Sequence, residues 1–149
     1  MSSFRASVLI AALVLLPALQ ASACSCGEST AKERFARADL VIRGRVKAVT
    51  YGDVVPSSKS LDELSRATRG EIEIEKVLKG TFEGKTVSVY TGSGMGDCGL
   101  LGFLLNVAIY YDHEKFGVLE LGLTKFEHGG ETYYSANMCE YVKGPKDEE

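Results

Sequence analysis

Histidine is scarce in this 149-residue chain: only His113 and His128 are present, and both fall in expected turns. Two are too few for a three-histidine zinc site, and neither has a nucleophile beside it in sequence, so plain surface histidines are expected. Cysteine is equally sparse. The four cysteines contain no C-x-x-C pair, which excludes the common redox dithiol. C-x-C followed by two distant single cysteines also lacks the paired knuckles of zinc ribbons and fingers. There is no excess of basic charge, with 17 Lys and Arg against 20 Asp and Glu. Nucleic acid rewards basic stripes, so it is not an expected partner. There is no internal repeat, no sign of a second folded domain, and no apolar run long enough for a membrane span. The carboxylates alternate along strand faces or fill loops and form no catalytic constellation. The expectation is therefore a protein that is not an enzyme and needs no cofactor. Gly92, Gly94 and Gly96 invite a phosphate-loop reading, but no Lys-Ser/Thr follows them and no helix is expected to open after them. A loop needing free backbone angles beside a cysteine is the better reading.

What is present begins with Arg5, an apolar run from Val8 to Leu16, Pro17, and the small residues Ala21-Ser22-Ala23. Charged start, short apolar run and small-residue cut site predict a secretory signal over residues 1–23. The predicted organisation is that signal, one domain over residues 24–142, and a flexible acidic tail over 143–149. The mature chain would start at Cys24 and be secreted, either extracellular or periplasmic. Bacterial lipoproteins also mature to an N-terminal cysteine, and lipid anchoring at Cys24 is the competing reading. Those proteins usually carry Leu, Val or Ile three residues earlier, where this chain has Ala21.

Cys24, Cys26, Cys98 and Cys139 make an even count in an exported chain, which predicts two disulfides. A bridge between Cys24 and Cys26, so close together on an extended strip, is disfavoured. They are expected to reach separately to Cys98 and Cys139, which leaves two pairings open. Each long loop would stabilise by about 4–5 kcal/mol in the chain-entropy account.

Thr30 and Glu33 form a capping-box pattern that predicts a helix over about 31–38, with Phe35 as its core contact. Ile42, Gly44, Val46 and Ala48 alternate with Arg43, Arg45 and Lys47, which predicts a half-buried strand. Residues 51–66, with Gly52, Pro56 and several serines, read as a long exposed loop. A second strand carries Ile72 and Ile74 inward and Glu71, Glu73 and Glu75 outward, an acidic face that either pairs with the basic face of the first or stays solvated like it, with no net pairing. Thr86 to Thr91 is a third strand and "NVAIYYD" a fourth. "VLELGLTKFEHGGETYYSANMCEYV" reads as a hairpin turning at His128-Gly129-Gly130. Short strands with one early helix predict an all-β fold with minor helix, a small closed β-barrel.

The ordered motifs "CSC", "RFARADLVIRGRV", "EIEIEKVLKG", "VSVYTGSGMGDCGL" and "SANMCEYV" resemble the N-terminal inhibitory domain of the tissue inhibitors of metalloproteinases, within the netrin-like (NTR) superfamily. The resemblance covers nearly all of residues 24–142. It implies an OB-like closed five-stranded barrel with short flanking helices, and bridges Cys24–Cys98 and Cys26–Cys139. It further implies inhibition of a zinc metalloproteinase. The amine and carbonyl of Cys24 would chelate the target's catalytic zinc, and the Ser25 side chain would enter the adjoining pocket. Cys26, Gly27, Glu28, Met95, Gly96 and Asp97 would widen the contact. Three positions depart from the family: Ala36 stands where a third early cysteine is usual, Glu28 where proline is common, and Asn106 where a glycine is often seen. The alternative implied by the same resemblance is an exported NTR-type binding or structural module without inhibitory activity.

Overall fold

A computed structural model describes residues 24–56, 64–94 and 96–145. The expected signal, Met95 and the end of the expected tail lie outside the described residues. Over the described residues the chain is mostly β with two short helices. Its elements in order are α1 (Ala31–Arg37), β1 (Leu40–Pro56), β2 (Leu64–Lys79), β3 (Thr86–Thr91), α2 (Leu101–Ile109), β4 (Val118–His128), β5 (Glu131–Ser135) and β6 (Val142–Lys143). The six strands form one mixed sheet in the order β1-β2-β3-β5-β4-β6, and an additional β1–β4 pairing closes the hydrogen bonding into a ring through five strands. All pairings are antiparallel except β3–β5, which is parallel and only two residue pairs long.

Period-two patterning explains the core. In β3, Val87, Val89 and Thr91 are buried and alternate with more exposed neighbours. In β4, Leu119, Leu121 and Leu123 fall on one face and meet Ile42, Val46 and Ile72 from β1 and β2. The expected alternation fails once, at Ala48. A register shift between Val46 and Ala48 leaves Lys47 and Ala48 both exposed, and Val49 takes the next inward place. This is what an extra bulge residue does to a strand of period two. The facing charges of the first two strands do pair. Arg45 Nε lies 2.7 Å from Glu75, and Arg43 lies within ion-pair distance of Glu75 and, at 3.5 Å, of Glu120.

Three expectations change. Residues 51–66 are not a long loop: β1 runs to Pro56 and β2 starts at Leu64, so Tyr51–Pro56 pair with Thr68–Leu64 as a ribbon beyond the ring. "NVAIYYD" is not a strand. Its first four residues are the last turn of α2, which ends at Ile109; Val107 is buried together with Leu104 and the cap residue Leu100 before it, a spacing of four and three that fits a helix. A helix therefore does open after the glycine loop. β6 pairs with β4 through Leu121–Val142 and Glu120–Lys143. The β4–β5 hairpin turns where expected, with both central glycines at positive φ, 60° and 83°. That geometry suits a two-residue hairpin and explains the Gly-Gly pair. Among the described residues no helix is long and apolar enough to cross a membrane.

Candidate functional site: a doubly moored N-terminal strip

Residues 24–29 run as an irregular strip before α1. Two disulfides fasten it: Cys24–Cys98, with Cα atoms 5.3 Å apart, and Cys26–Cys139, at 5.1 Å. This resolves the two pairings that cysteine spacing left open. Ser25, Cys26, Gly27 and Glu28 are exposed, and Cys24 is partly buried. Cys24 also has φ +115°, a backbone value that side-chain-bearing residues rarely adopt. Its thiol is committed to the bridge, which is incompatible with a lipid thioether at the same sulfur.

The first mooring is the loop Gly92–Cys98, and Asp97 organises it. Oδ2 accepts hydrogen bonds from Ser93 N at 2.7 Å and Ser93 Oγ at 3.1 Å, while Oδ1 accepts from Gly94 N at 2.6 Å and Gly99 N at 3.0 Å. Burial pushes the Asp97 carboxyl upward, but the donors of Ser93, Gly99 and Gly94 together outweigh it and hold the group below the usual carboxylate range. The loop closes on itself so tightly that a Cβ on Gly99 would lie 1.9 Å from the Gly92 backbone. The glycines thus serve close approach and a carboxylate cradle. A helix does follow this loop, but the Ser93, Gly94 and Gly99 amides are taken by Asp97, and Leu100 N donates to Thr91 Oγ1 at 2.9 Å. Gly96 is exposed, with φ +94°.

The second mooring is the turn Asn137–Glu140. Asn137 N donates to Glu140 Oε2 at 3.0 Å, Cys139 N donates to Asn137 Oδ1 at 2.8 Å, and Thr124 Oγ1 of β4 donates to Glu140 Oε1 at 2.9 Å. Burial raises the Glu140 carboxyl, with the Thr124 and Asn137 hydrogen bonds partly offsetting it. Met138 N donates to Cys98 O at 2.9 Å, so the two moorings are joined by backbone as well as through the strip.

Beyond the strip, α1 carries the expected capping box. Glu33 N donates to Thr30 Oγ1 at 3.2 Å and Thr30 N donates to Glu33 Oε2 at 2.7 Å. At its other end, Lys79 Nζ donates to Ala36 O at 2.6 Å and also to Ala38 O. A lysine from the end of β2 thus satisfies the open carbonyls of α1. Phe35 is half-buried and meets Tyr141 edge-on at 5.2 Å, not the interior of the ring. Tyr141 donates to Glu120 at 2.7 Å, and burial with that contact pushes its phenol up to about 12. Ala36 is exposed on α1.

The structure therefore gathers Cys24, Ser25, Cys26, Asp97, Cys98 and Cys139 at one place. Asp97, expected as a target contact, is exposed, and its carboxylate accepts hydrogen bonds from its own loop. Sequence reasoning missed Asn137, Glu140 and Lys79. The N-x-x-E spacing around Cys139 carries a signal for the first two. Among the described residues no group of three or more His, Cys, Asp or Glu is arranged to hold a metal ion. No protein-family model matches the chain, and no curated protein matches it.

Proposed function

We propose that this is an exported inhibitor of zinc metalloproteinases, similar to the tissue inhibitors of metalloproteinases, and that its ring of strands is an OB-like closed five-stranded barrel. The observation that carries the reading is the exposed Ser25–Glu28 strip, tied at Cys24 and Cys26 to two separate loops of the body. Cleavage after Ala23 would free the Cys24 amine. It would also remove the amide that defines the unfavourable φ at Cys24. A neutral amine is a good nitrogen ligand for a zinc with an open position. An α-amino group has an ordinary pKa of about 7.7–8.0, so losing its proton near neutrality costs little. Amine and carbonyl of one residue then form a chelate, and two bridges keep it from needing to be ordered on binding. Ser25 follows as the side chain that enters the target's pocket, with Gly27, Glu28 and Gly96 as flanking contacts.

A second reading is an exported NTR-type binding module. It draws on α2, which has no charged residue and leaves Leu105 and Ile109 exposed four residues apart. One experiment separates the two. Protein beginning at Cys24 and protein with one added alanine before Cys24 are assayed against a panel of zinc metalloproteinases. The inhibitor reading expects nanomolar-class inhibition that falls at least about 100-fold in the extended form, with an unchanged melting midpoint. Inhibition by neither form, or equal inhibition by both, overturns it.

A further inference from the structure

The turn joining α2 to β4 is built around one imidazole. His113 Nδ1 accepts hydrogen bonds from Lys115 N and Phe116 N, each at 3.2 Å. The His113 ring also packs on the Phe116 ring at 4.7 Å. Accepting at Nδ1 requires the neutral ring with its proton on Nε2. The rest of the turn is held by groups that do not depend on that ring. His113 N donates to Tyr110 O and Gly117 N to His113 O, both at 2.8 Å. Arg45 Nη1 of β1 donates to Tyr111 O at 2.9 Å and His113 O at 3.1 Å. Tyr111 donates its hydroxyl to Glu73 of β2.

We propose that His113 is an acid-sensitive latch that holds the Lys115–Phe116 corner of this turn and, through Phe116, one wall of the groove along α2. Histidine changes charge within the range of about pH 5–8. A proton on Nδ1 removes the acceptor and sets an N–H against two backbone N–H groups. The corner then opens while Arg45 keeps the remaining carbonyls in place. Phe116 and Tyr110, whose rings lie 6.0 Å apart, together line a groove of about 610 Å³ with Phe103, Asn106 and Pro145. Release of Phe116 alters that groove directly.

The charged groups around the latch are Arg45 of β1, paired with Glu75 of β2, then Glu73 of β2, and Asp112, Glu114 and Lys115 in the turn. Glu114 and Lys115 also border a small hollow with Arg43, Glu120 and Lys143. The latch is independent of any zinc chelation at Cys24, so it stands or falls separately from the proposed function.

The test is amide hydrogen exchange and imidazole nitrogen shifts by NMR at about pH 7.5 and about pH 5. After correction for intrinsic exchange, the Lys115 and Phe116 amides should lose at least about tenfold protection on acidification, while Gly117 changes little. His113→Asn keeps a side-chain oxygen acceptor but does not titrate, and should abolish the change. The neutral wild-type ring should show the Nε2–H form, a readout that needs no variant. No excess loss in the wild type, an Nδ1–H ring at neutral pH, or the same loss in His113→Asn each overturns the proposal.

Discussion

Two parts of the molecule project from the same five-strand ring, and they are held by opposite means. The strip over residues 24–29 owes its place to two disulfides and two carboxylate-centred loops. The β1–β2 ribbon beyond the ring, Tyr51–Pro56 against Leu64–Thr68, is a backbone ladder. It also has one buried face, with Val55, Ala67 and Thr68, while Tyr51 and Val54 are exposed, and Arg69 sits 3.1 Å from Asp53 and 3.2 Å from Glu71 without aiming its Nε–H at either. A short exposed strip cannot form a sheet ladder of its own and must be fastened by side chains, whereas a long strand pair holds itself. Function that needs a fixed geometry without burial belongs to the first kind.

The contrast can be broken most severely at the second mooring. Replacing Cys26 and Cys139 together with serine opens a link spanning 113 residues. It should cost about 4–5 kcal/mol in urea unfolding, less any residual structure in the unfolded chain. Asp97→Asn comes next, because four donors lose a charged acceptor; a loss of about 1–2 kcal/mol near neutrality is expected. The Asp97 carboxyl is held below the ordinary range, so its contribution is full above that range and disappears as pH falls through the depressed value. The gap between wild type and Asp97→Asn, measured by urea midpoints from about pH 6 down to about pH 2, should therefore close on acidification. At the root of the ribbon the sign reverses. The Thr68 hydroxyl is fully buried with no partner among the described residues. Thr68→Val should stabilise by up to about 1 kcal/mol in thermal or urea melts. Smallest is Arg69→Ala, worth about 0.5 kcal/mol or less at low ionic strength and nothing measurable in about 1 M salt.

The two regions also differ in how plainly the amino-acid sequence announces them. Cysteines, a capping box and the Gly-Gly turn are local signals, and strands with clean alternation, such as Thr86–Thr91, match to the residue. The ribbon is hidden because its composition is that of a loop, with Gly52, Pro56 and a bulge between Tyr51 and Asp53 masking the alternation. "NVAIYYD" misleads for the opposite reason. Its β-branched and aromatic residues have strand propensity, but burial at Leu100, Leu104 and Val107 decides for helix. Of the candidate site, the strip is legible and the moorings are not. Asp97 accepts from Ser93 and Gly99 N–H groups only because the glycine loop folds back on itself, and Lys79 reaches α1 from 43 residues away, a pairing that depends on where distant backbone lies.

The bridges also impose an order on manufacture. Cys26 is among the first residues of the domain to emerge during synthesis or export, and its partner Cys139 among the last. Until β5 and the turn after it have appeared, Cys26 has only wrong partners to meet, Cys24 nearest of all and Cys98 next. The Cys24–Cys98 bridge can close as soon as Cys98 appears, but Cys26 stays open until Cys139 arrives, so a truncated product ending before Cys139 carries an unpaired thiol, by which unfinished molecules are distinguishable from finished ones.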